Sequence, residues 1–244
     1  VRSIIPYGAT LLPMTRIGIK EMDTISDLAN EFQLKLSVTA YRYNSAGMAG
    51  AEAIGAELRD QGDFTHVYVP TGGGGLLVAV ARGMGPASST RIICAQPAGC
   101  NPIVRFLSQE IETPHIDTCT SKVSGLQLPT PPDGELAAAA VVESNGWGCS
   151  VSDEDAWSMQ DFLATKEGIF VEPASALAVA ALADDVRSGR LPVTARPVVI
   201  LTGSGLKDLS RFAAITPLST QTFSIDDLRR RLQTSDVNVL PSTQ

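Results

Sequence analysis

Short apolar runs alternate with longer segments of helical periodicity along most of the chain. Runs rich in β-branched residues predict buried strands at residues 34–39, 66–69, 91–96, 148–151 and 196–202. Apolar residues at helical spacing predict helices at residues 23–32, 48–59, 76–82, 101–109, 135–144, 153–167 and 174–188. Polar residues 41–47 predict a turn between domains. Strands that alternate with helices favour an α/β fold with a mostly parallel sheet.

Composition and charge narrow the classes of partner. The 244 residues are 44% hydrophobic, which suits one large or two small domains. The net charge is −7, and the one basic cluster, Arg229-Arg230-Arg231, follows Ser224, a predicted helix N-cap. We therefore expect a solvated helix end there and no nucleic-acid partner.

Targeting signals and metal-ligand patterns are not visible in the sequence. No apolar run is long enough to span a membrane, and no signal peptide is seen, so we expect a cytoplasmic protein. Four cysteines, which show no CxxC spacing, are expected to be free thiols. His66 and His115 are the only histidines, and His66 heads a predicted core strand, so neither a metal site nor a histidine triad is expected.

A glycine-rich loop is the strongest chemical signal in the chain. A threonine and four glycines separate a predicted strand from a predicted helix, namely Thr71, Gly72, Gly73, Gly74 and Gly75. This arrangement presents backbone N–H groups at a helix N-terminus to an anion, usually a phosphate. The alternative is a tight turn, for which one or two glycines would serve. The loop lacks the Lys-Ser or Lys-Thr of a P-loop and the GxGxxG spacing of a dinucleotide site.

Two further motifs follow the loop in the chain. One is EGIFVEPASA, in which Glu172 precedes a proline at the start of a predicted helix; the other is LTGSGLKD, in which Thr202 and Gly203 end a predicted strand. Taken separately, the first motif is also compatible with a helix start that has a capping acid, and the second with a plain turn. In a doubly wound sheet the strand C-termini line a ligand crevice, so Thr71, Thr202 and the glycine turn at 203–205 are expected to meet there.

Taken in order, the motifs resemble the tryptophan-synthase-β-like (fold type II) enzymes that use pyridoxal 5′-phosphate, and threonine synthase in particular. The glycine loop, SGLQLP at 124–129, VSDE at 151–154, EGIFVEPASA and LTGSGLKD carry the resemblance, which runs from about Tyr7 to Asp208. It implies a parallel or mixed sheet flanked by helices. Residues 1–45 would be a remnant of the small domain, and residues 46–244 the large cofactor-binding domain with a C-terminal tail.

The resemblance also implies roles for individual residues. Thr71 and the four glycines would hold the cofactor phosphate, Thr202 would hydrogen-bond the pyridine nitrogen, and Glu172 would lie close to the ring. Gly203, next to Thr202, would also belong to the cofactor site. A hydroxyl is a weak partner for a pyridinium, so we expect the nitrogen to stay largely unprotonated. That expectation favours β- or γ-elimination and replacement on a small amino-acid substrate.

The lysine that forms the Schiff base in the family has no counterpart here, so no catalytic residue is assigned within this chain. The lysines are Lys20, Lys35, Lys122, Lys166 and Lys207, and none lies in the family's Ser/Thr-x-Lys-x-Arg-like motif. Three interpretations remain: another polypeptide supplies the lysine, the chain is part of a longer one, or it is a binding or regulatory subunit without catalysis. An oligomer, homomeric or heteromeric, is expected. Apolar residues such as Ile4, Ile5, Leu11 and Leu12 would stay uncovered in this chain alone.

A second departure concerns the substrate. Where threonine synthases carry an Asn-Pro-x-Arg-x-Glu-Gly-like segment, this chain has Asn44-Ser-Ala-Gly47-Met-Ala49-Gly50, and Leu76 replaces the asparagine that ends the phosphate loop. An arginine fork is a natural clamp for a phosphorylated substrate. The glycine at position 47 therefore argues against O-phosphohomoserine.

Overall fold

A computed structural model describes residues 5–14, 18–209, 211–212 and 224–233. The chain divides into two compact units, one that ends at Lys207 and one that begins at Asp208. The predicted boundary at residue 45 differs from this division and stays a prediction. Ile4, one of the residues expected to be uncovered, lies outside the described residues.

The helices and strands follow one another in the predicted alternation. The helices are α1 (Ile19–Glu31), α2 (Tyr41–Ala49), α3 (Ala53–Gln61), α4 (Gly75–Met84), α5 (Pro102–Leu107), α6 (Gly134–Glu143), α7 (Asp153–Phe162), α8 (Pro173–Arg187) and α9 (Ile225–Gln233). The strands are β1 (His66–Pro70), β2 (Arg91–Pro97), β3 (Gly148–Val151) and β4 (Pro197–Val199).

The four strands form one parallel sheet in the order β3-β2-β1-β4. His66 pairs with Arg91 on one side and with Pro197 on the other, so β1 lies inside the sheet. β1 is buried along its whole length, which is typical of a parallel strand covered by helices on both faces. The predicted α/β class is confirmed.

Alternate residues of β1 and β2 face the two layers of the core, because successive strand side chains point to opposite faces. Val67, Val69 and Ile92 pack in the cluster that contains α4 and α6. Tyr68 and Ile93 pack in the cluster that contains α8. The sheet is thus the middle of three layers, and its loops at the carboxyl ends of the strands are free to form a site.

Five secondary-structure predictions were wrong in detail. Residues 34–39 form no strand, and residues 41–47, predicted as a turn, belong to α2. That helix is kinked at Asn44, whose φ is −151° and ψ is 62°. The predicted 48–59 helix is divided by a 3-10 turn, Gly50–Glu52, and the last turn after α7 is a π-helix, Leu163–Glu167. β4 has only three residues.

Helix starts were predicted well where a hydroxyl acts as a cap. Ser152 Oγ accepts from the N–H of Asp155 at 3.0 Å, and Ser224 Oγ accepts from the N–H of Asp227 at 3.1 Å. Over the described residues, no helix combines the length and hydropathy that a membrane span requires.

Candidate functional site

A crevice of about 720 Å³ opens at the carboxyl end of β1. Three segments and one polar cluster line it: parts of residues 18–51, the glycine loop, residues 125–132, and the side chains of Glu172, Thr202 and Lys207. Thr71, all four loop glycines, Glu172 and Thr202 therefore meet in one place, as the strand-end argument requires.

The glycine loop leaves a row of N–H groups unengaged. α4 begins at Gly75, and Gly74 before it has φ +93°, the left-handed conformation that glycine adopts without cost. Among the described residues, no acceptor contacts the N–H groups of residues 72–76. These groups, together with the positive end of the α4 dipole, are available to bind an anion, as the sequence predicts.

Thr71 shapes the loop rather than offering a hydroxyl donor to it. Its N–H donates to Ala95 O at 2.9 Å, and its Oγ1 donates to Val69 O at 2.8 Å. The side chain is buried, and its only proton is directed back into the strand. Any anion in the crevice would therefore meet backbone donors from the glycines and not the Thr71 hydroxyl.

Close contacts with neighbouring backbone atoms explain why three of the four loop positions are glycine. A Cβ on Gly72 would lie 2.7 Å from Gly125 O, and a Cβ on Gly75 would lie 2.8 Å from Thr39 O. A Cβ on Gly74 would lie 2.7 Å from Asp133 O. A Cβ on Gly73 would make an ordinary 3.4 Å contact with Pro132. Close packing of other backbone segments is thus a sufficient reason for glycine at positions 72, 74 and 75.

Asp133 joins the glycine loop to α2 and was missed by the sequence analysis. Its N–H donates to Gly73 O at 2.9 Å, while its buried carboxylate accepts from the N–H groups of Tyr41 (2.7 Å) and Arg42 (3.0 Å). It therefore caps α2 from 92 residues away. The one sequence signal at this position is the PPDG segment at 131–134, and that pattern predicts a turn but not a cap for a distant helix.

Glu172, Thr202 and Lys207 form a polar cluster on the other wall of the crevice. Thr202 Oγ1 donates to Glu172 Oε1 at 2.6 Å, and Lys207 Nζ lies 2.5 Å from Glu172 Oε2. Glu172 occupies the N-cap position of α8, but its carboxylate makes no capping bond. The carboxylate is therefore committed to the crevice, which argues against a mere capping role.

Gly203 supports this cluster but does not line the crevice. A Cβ at position 203 would lie 2.7 Å from Glu172 Cδ, so only glycine leaves room for the carboxylate. Gly203 O also accepts from the N–H of Glu172 at 2.9 Å. The structure thus places Gly203 behind Glu172, and direct contact with a cofactor stays a prediction.

Lys207 is the only lysine among the described residues that lines the crevice. It was not predicted as a site residue, although the GLKD motif held it. On the opposite wall, Gly47 lies beside Asn44: a Cβ on Gly47 would be 2.2 Å from Asn44 Nδ2. No arginine among the described residues lines the crevice.

A second buried polar cluster lies away from the crevice. Asp185 on α8 accepts from Tyr68 Oη and Trp147 Nε1, each at 2.8 Å, and pairs with Arg190 at 3.1 Å. Burial, followed by the hydrogen bond to Asp185, raises the pKa of Tyr68 above its usual range. The cluster fastens α8 to the sheet, and we assign it no chemistry.

Comparison with known proteins agrees with the fold and the motifs. The family model described as "Pyridoxal-phosphate dependent enzyme" matches residues 2–203. A threonine synthase from Methanocaldococcus jannaschii is 31% identical over 214 residues, which cover 83% of this chain and 52% of that protein. A threonine synthase from Methanosarcina acetivorans is 32% identical over 222 residues, covering 85% and 53%. The chain spans about half the length of these relatives.

Solved structures share the fold at lower identity. The processed form of threonine deaminase isoform 2 from Solanum lycopersicum has a TM-score of 0.72 and 19% identity, with 90% of this chain and 63% of that chain covered. Serine racemase from Dictyostelium discoideum has a TM-score of 0.64 and 21% identity, with 85% and 65% covered. With the family model matched over most of its length, the chain belongs to the family of pyridoxal-phosphate dependent enzymes.

Proposed function

We propose that this chain forms the cofactor-binding part of a threonine-synthase-like lyase or synthase, which performs β- or γ-elimination or replacement on a small amino acid. The observation that carries the proposal is the row of unengaged N–H groups at the start of α4, in residues that line the same crevice as the Glu172–Thr202 cluster. The threonine synthases that resemble the chain along most of its length support the reaction class.

The residues fit pyridoxal 5′-phosphate at both ends. The N–H groups of residues 72–76 would bind the phosphate, and Thr202 would contact the ring nitrogen. The cofactor supplies an electron sink for the bonds at the substrate α-carbon. Residues 125–132 lie against the glycine loop and contribute to the lining of the same crevice.

The lysine that links the cofactor is proposed to come from outside this sequence. Lys207 is held by Glu172, on the wall where the ring nitrogen would lie. A linking lysine must reach the cofactor aldehyde, which is a different substituent of the ring. A partner polypeptide or an N-terminal segment would supply this lysine, within a homo-oligomer or hetero-oligomer.

The substrate is proposed to be a small amino acid without a phosphate group. Gly47 stands where threonine synthases carry an arginine, and Asn44 fills the space next to it. An arginine clamp for a second phosphate is therefore missing from the described part of the crevice. O-phosphohomoserine is accordingly a poor fit to this wall.

A pair of ligands tests the phosphate site without any change to the protein. We expect pyridoxal 5′-phosphate to bind the purified full chain at least a hundredfold more tightly than pyridoxal, measured by fluorescence titration. Each lost charge-assisted N–H bond costs about 1.5–3 kcal/mol, so two lost bonds weaken binding by roughly two to four decades. Equal affinities would show that the loop binds no phosphate.

Borohydride reduction followed by mass spectrometry tests the source of the lysine. In the chain alone with cofactor, we expect no covalent addition on any peptide. If an upstream segment with a Ser/Thr-x-Lys motif is added, the cofactor should be trapped on that segment and lyase activity should appear. Trapping on Lys207 would refute the external lysine. Binding without activity in the completed assembly would favour a regulatory, non-catalytic subunit.

A further inference from the structure

Gln96, near the end of β2, connects the glycine loop to the start of α5. Its side chain is fully buried. Its Oε1 accepts from the N–H groups of Ile103 (2.9 Å) and Val104 (3.1 Å), and its Nε2 donates to Thr71 O at 3.2 Å. The orientation of this amide is unambiguous, because a backbone N–H can only donate and a backbone carbonyl can only accept.

The hydrogen bond to Thr71 O also determines the direction of a second group. Thr71 O and the N–H of Gly72 belong to one trans peptide, in which the carbonyl and the N–H point in opposite directions. Because Thr71 O is directed toward the buried Gln96 side chain, the N–H of Gly72 points away from it. Gly72 lines the crevice. Gln96 thus orients the first N–H group of the glycine loop.

Two other carbonyls of the loop are held by backbone donors. Gly73 O accepts from the N–H of Asp133 at 2.9 Å, and Gly74 O accepts from the N–H of Val78 at 3.1 Å. Within the described part of the chain, Gln96 is the one residue whose side chain donates to a carbonyl of residues 71–75. A substitution of Gln96 can therefore release the first peptide of the loop while the backbone bonds of the others remain.

The loop needs a partner from outside because of its glycines. Glycine has no Cβ and adopts more backbone conformations than any other residue. Without a partner for Thr71 O, the peptide before Gly72 is free to rotate and to direct its carbonyl toward the crevice. A carbonyl oxygen repels an anion, whereas an N–H group binds it.

We propose that Gln96 is a positioning residue for the phosphate site, because its hydrogen bond to Thr71 O directs the N–H of Gly72 toward the cofactor phosphate. The inference rests on the proposed function, since it takes the phosphate of pyridoxal 5′-phosphate as the anion in the crevice. Gln96 itself does not line the crevice. It acts only through the peptide between Thr71 and Gly72.

Proton–nitrogen NMR of the wild-type full chain tests the orientation without a substitution. The ¹⁵N-labelled chain is titrated with pyridoxal 5′-phosphate and, separately, with pyridoxal. We expect the amide proton of Gly72 to move downfield with the phosphorylated ligand only, because a hydrogen bond to an anionic oxygen deshields it. Tighter binding of that ligand without a response at Gly72 would overturn the inference and leave the proposed function standing. Equal affinities for the two ligands would overturn both.

The variant Gln96→Met tests the role of the side chain, because methionine has a similar length but cannot hold Thr71 O. The quantity measured is the phosphate preference, defined as the Kd of pyridoxal divided by the Kd of pyridoxal 5′-phosphate, from fluorescence titration. We expect this preference to fall roughly ten- to a hundredfold, which corresponds to the loss of one charge-assisted N–H bond. The Kd of pyridoxal should change little, because that ligand carries no phosphate.

Gln160→Met is the matched control. Gln160 is also fully buried, and its Nε2 donates to a backbone carbonyl, Val171 O, at 2.7 Å. Its substitution should destabilise the fold but leave the phosphate preference at the wild-type value. Circular dichroism monitors the folding of both variants, and the Gly72 signal of the wild type serves as the test if Gln96→Met does not fold. A wild-type preference in folded Gln96→Met, or an equal decrease in both variants, would show that Gln96 does not position the site.

Discussion

At the scale of single residues, the backbone decides which positions of the glycine loop tolerate a side chain. Gly74 has a positive φ and lies against Asp133 O, whereas Gly73 has room for a methyl group beside Pro132. The two neighbouring glycines therefore differ in whether they tolerate a side chain. Substitutions at position 74 affect folding as well as binding.

We expect Gly74→Ala to lower the free energy of unfolding by at least about 1–2 kcal/mol, the cost of a left-handed backbone for a non-glycine residue. The contact with Asp133 O adds to that cost. Chemical denaturation monitored by circular dichroism measures it. Gly73→Ala is the matched control and should unfold at nearly the wild-type midpoint; equal losses at both positions would contradict the distinction.

His66 is expected to make the stability of the fold depend on pH in the mildly acidic range. It is buried at the start of β1, with Thr65 Oγ1 2.8 Å from its Nδ1 and Trp147 edge-on to its ring. Burial, and then the charge of Arg91, lower the pKa of His66 below 6.5. As the pH falls, His66 is therefore protonated at a higher pH in the unfolded chain than in the folded chain. The contribution of neutral, buried His66 to the free energy of unfolding is fully present above the pKa of the unfolded chain. It decreases as the pH falls toward the pKa of His66 in the folded chain.

We expect the melting temperature of the wild type to fall between pH 7.5 and 5.5, within about two units of the usual histidine pKa. His66→Gln should fall less over the same interval, because it lacks the proton uptake. His115→Gln, at the exposed second histidine, is the control and should follow the wild type. Parallel curves for all three proteins would exclude a role for His66.

At the scale of elements, α2 depends on a residue far away in the chain. Its N-cap, Ala40, has no side-chain acceptor, and the Asp133 carboxylate takes that role from the loop before α6. The same residue holds Gly73 O through its N–H. α2 and the glycine loop are therefore stabilised by one shared contact.

We expect Asp133→Ala to cost about 0.5–2 kcal/mol of stability, the range for the loss of an N-cap. Hydrogen exchange of the Tyr41 and Arg42 amides should accelerate more than exchange in α8. Asp117→Ala, at a fully exposed side chain, is the control and should have little effect. Unchanged exchange at Tyr41 would mean that Asp133 does not cap α2.

At the scale of the whole molecule, several large apolar side chains of the first unit face solvent near α1. Leu12 is 82% exposed, Phe32 is 65% exposed and Leu34 is 67% exposed. Leu11 and Ile5, also expected to be uncovered, are partly and largely exposed. Large apolar side chains exposed in this number favour association or the binding of a partner.

The purified chain is accordingly expected to bind a hydrophobic dye strongly or to aggregate. Phe32→Ser combined with Leu34→Ser should lower dye fluorescence at equal protein concentration. Val193→Ser, at a fully exposed apolar residue elsewhere, should lower it less. A monodisperse wild-type chain with little dye fluorescence would contradict the expectation of a missing partner.

The sequence by itself determined the features that depend on neighbours in the chain. Alternation of apolar runs and helical periodicity located β1, β2 and β3 and most helices, because local propensity and burial agree there. The glycine loop and the LTGSGLKD motif were placed at strand ends, and the parallel sheet brought Thr71, the loop glycines and Thr202 to one crevice. The caps at Ser152 and Ser224 are also local, since each involves residues only three positions apart.

Only the tertiary structure decided the features that depend on distant partners. Residues 41–47 are helical because a carboxylate 92 residues away satisfies the first N–H groups, which no local pattern reveals. The commitment of the Thr71 proton to Val69 O depends on how the loop leaves the strand. The polar cluster at Thr202 also depends on the fold, because its hydroxyl donates to Glu172, 30 positions away in the chain, and Glu172 in turn pairs with Lys207.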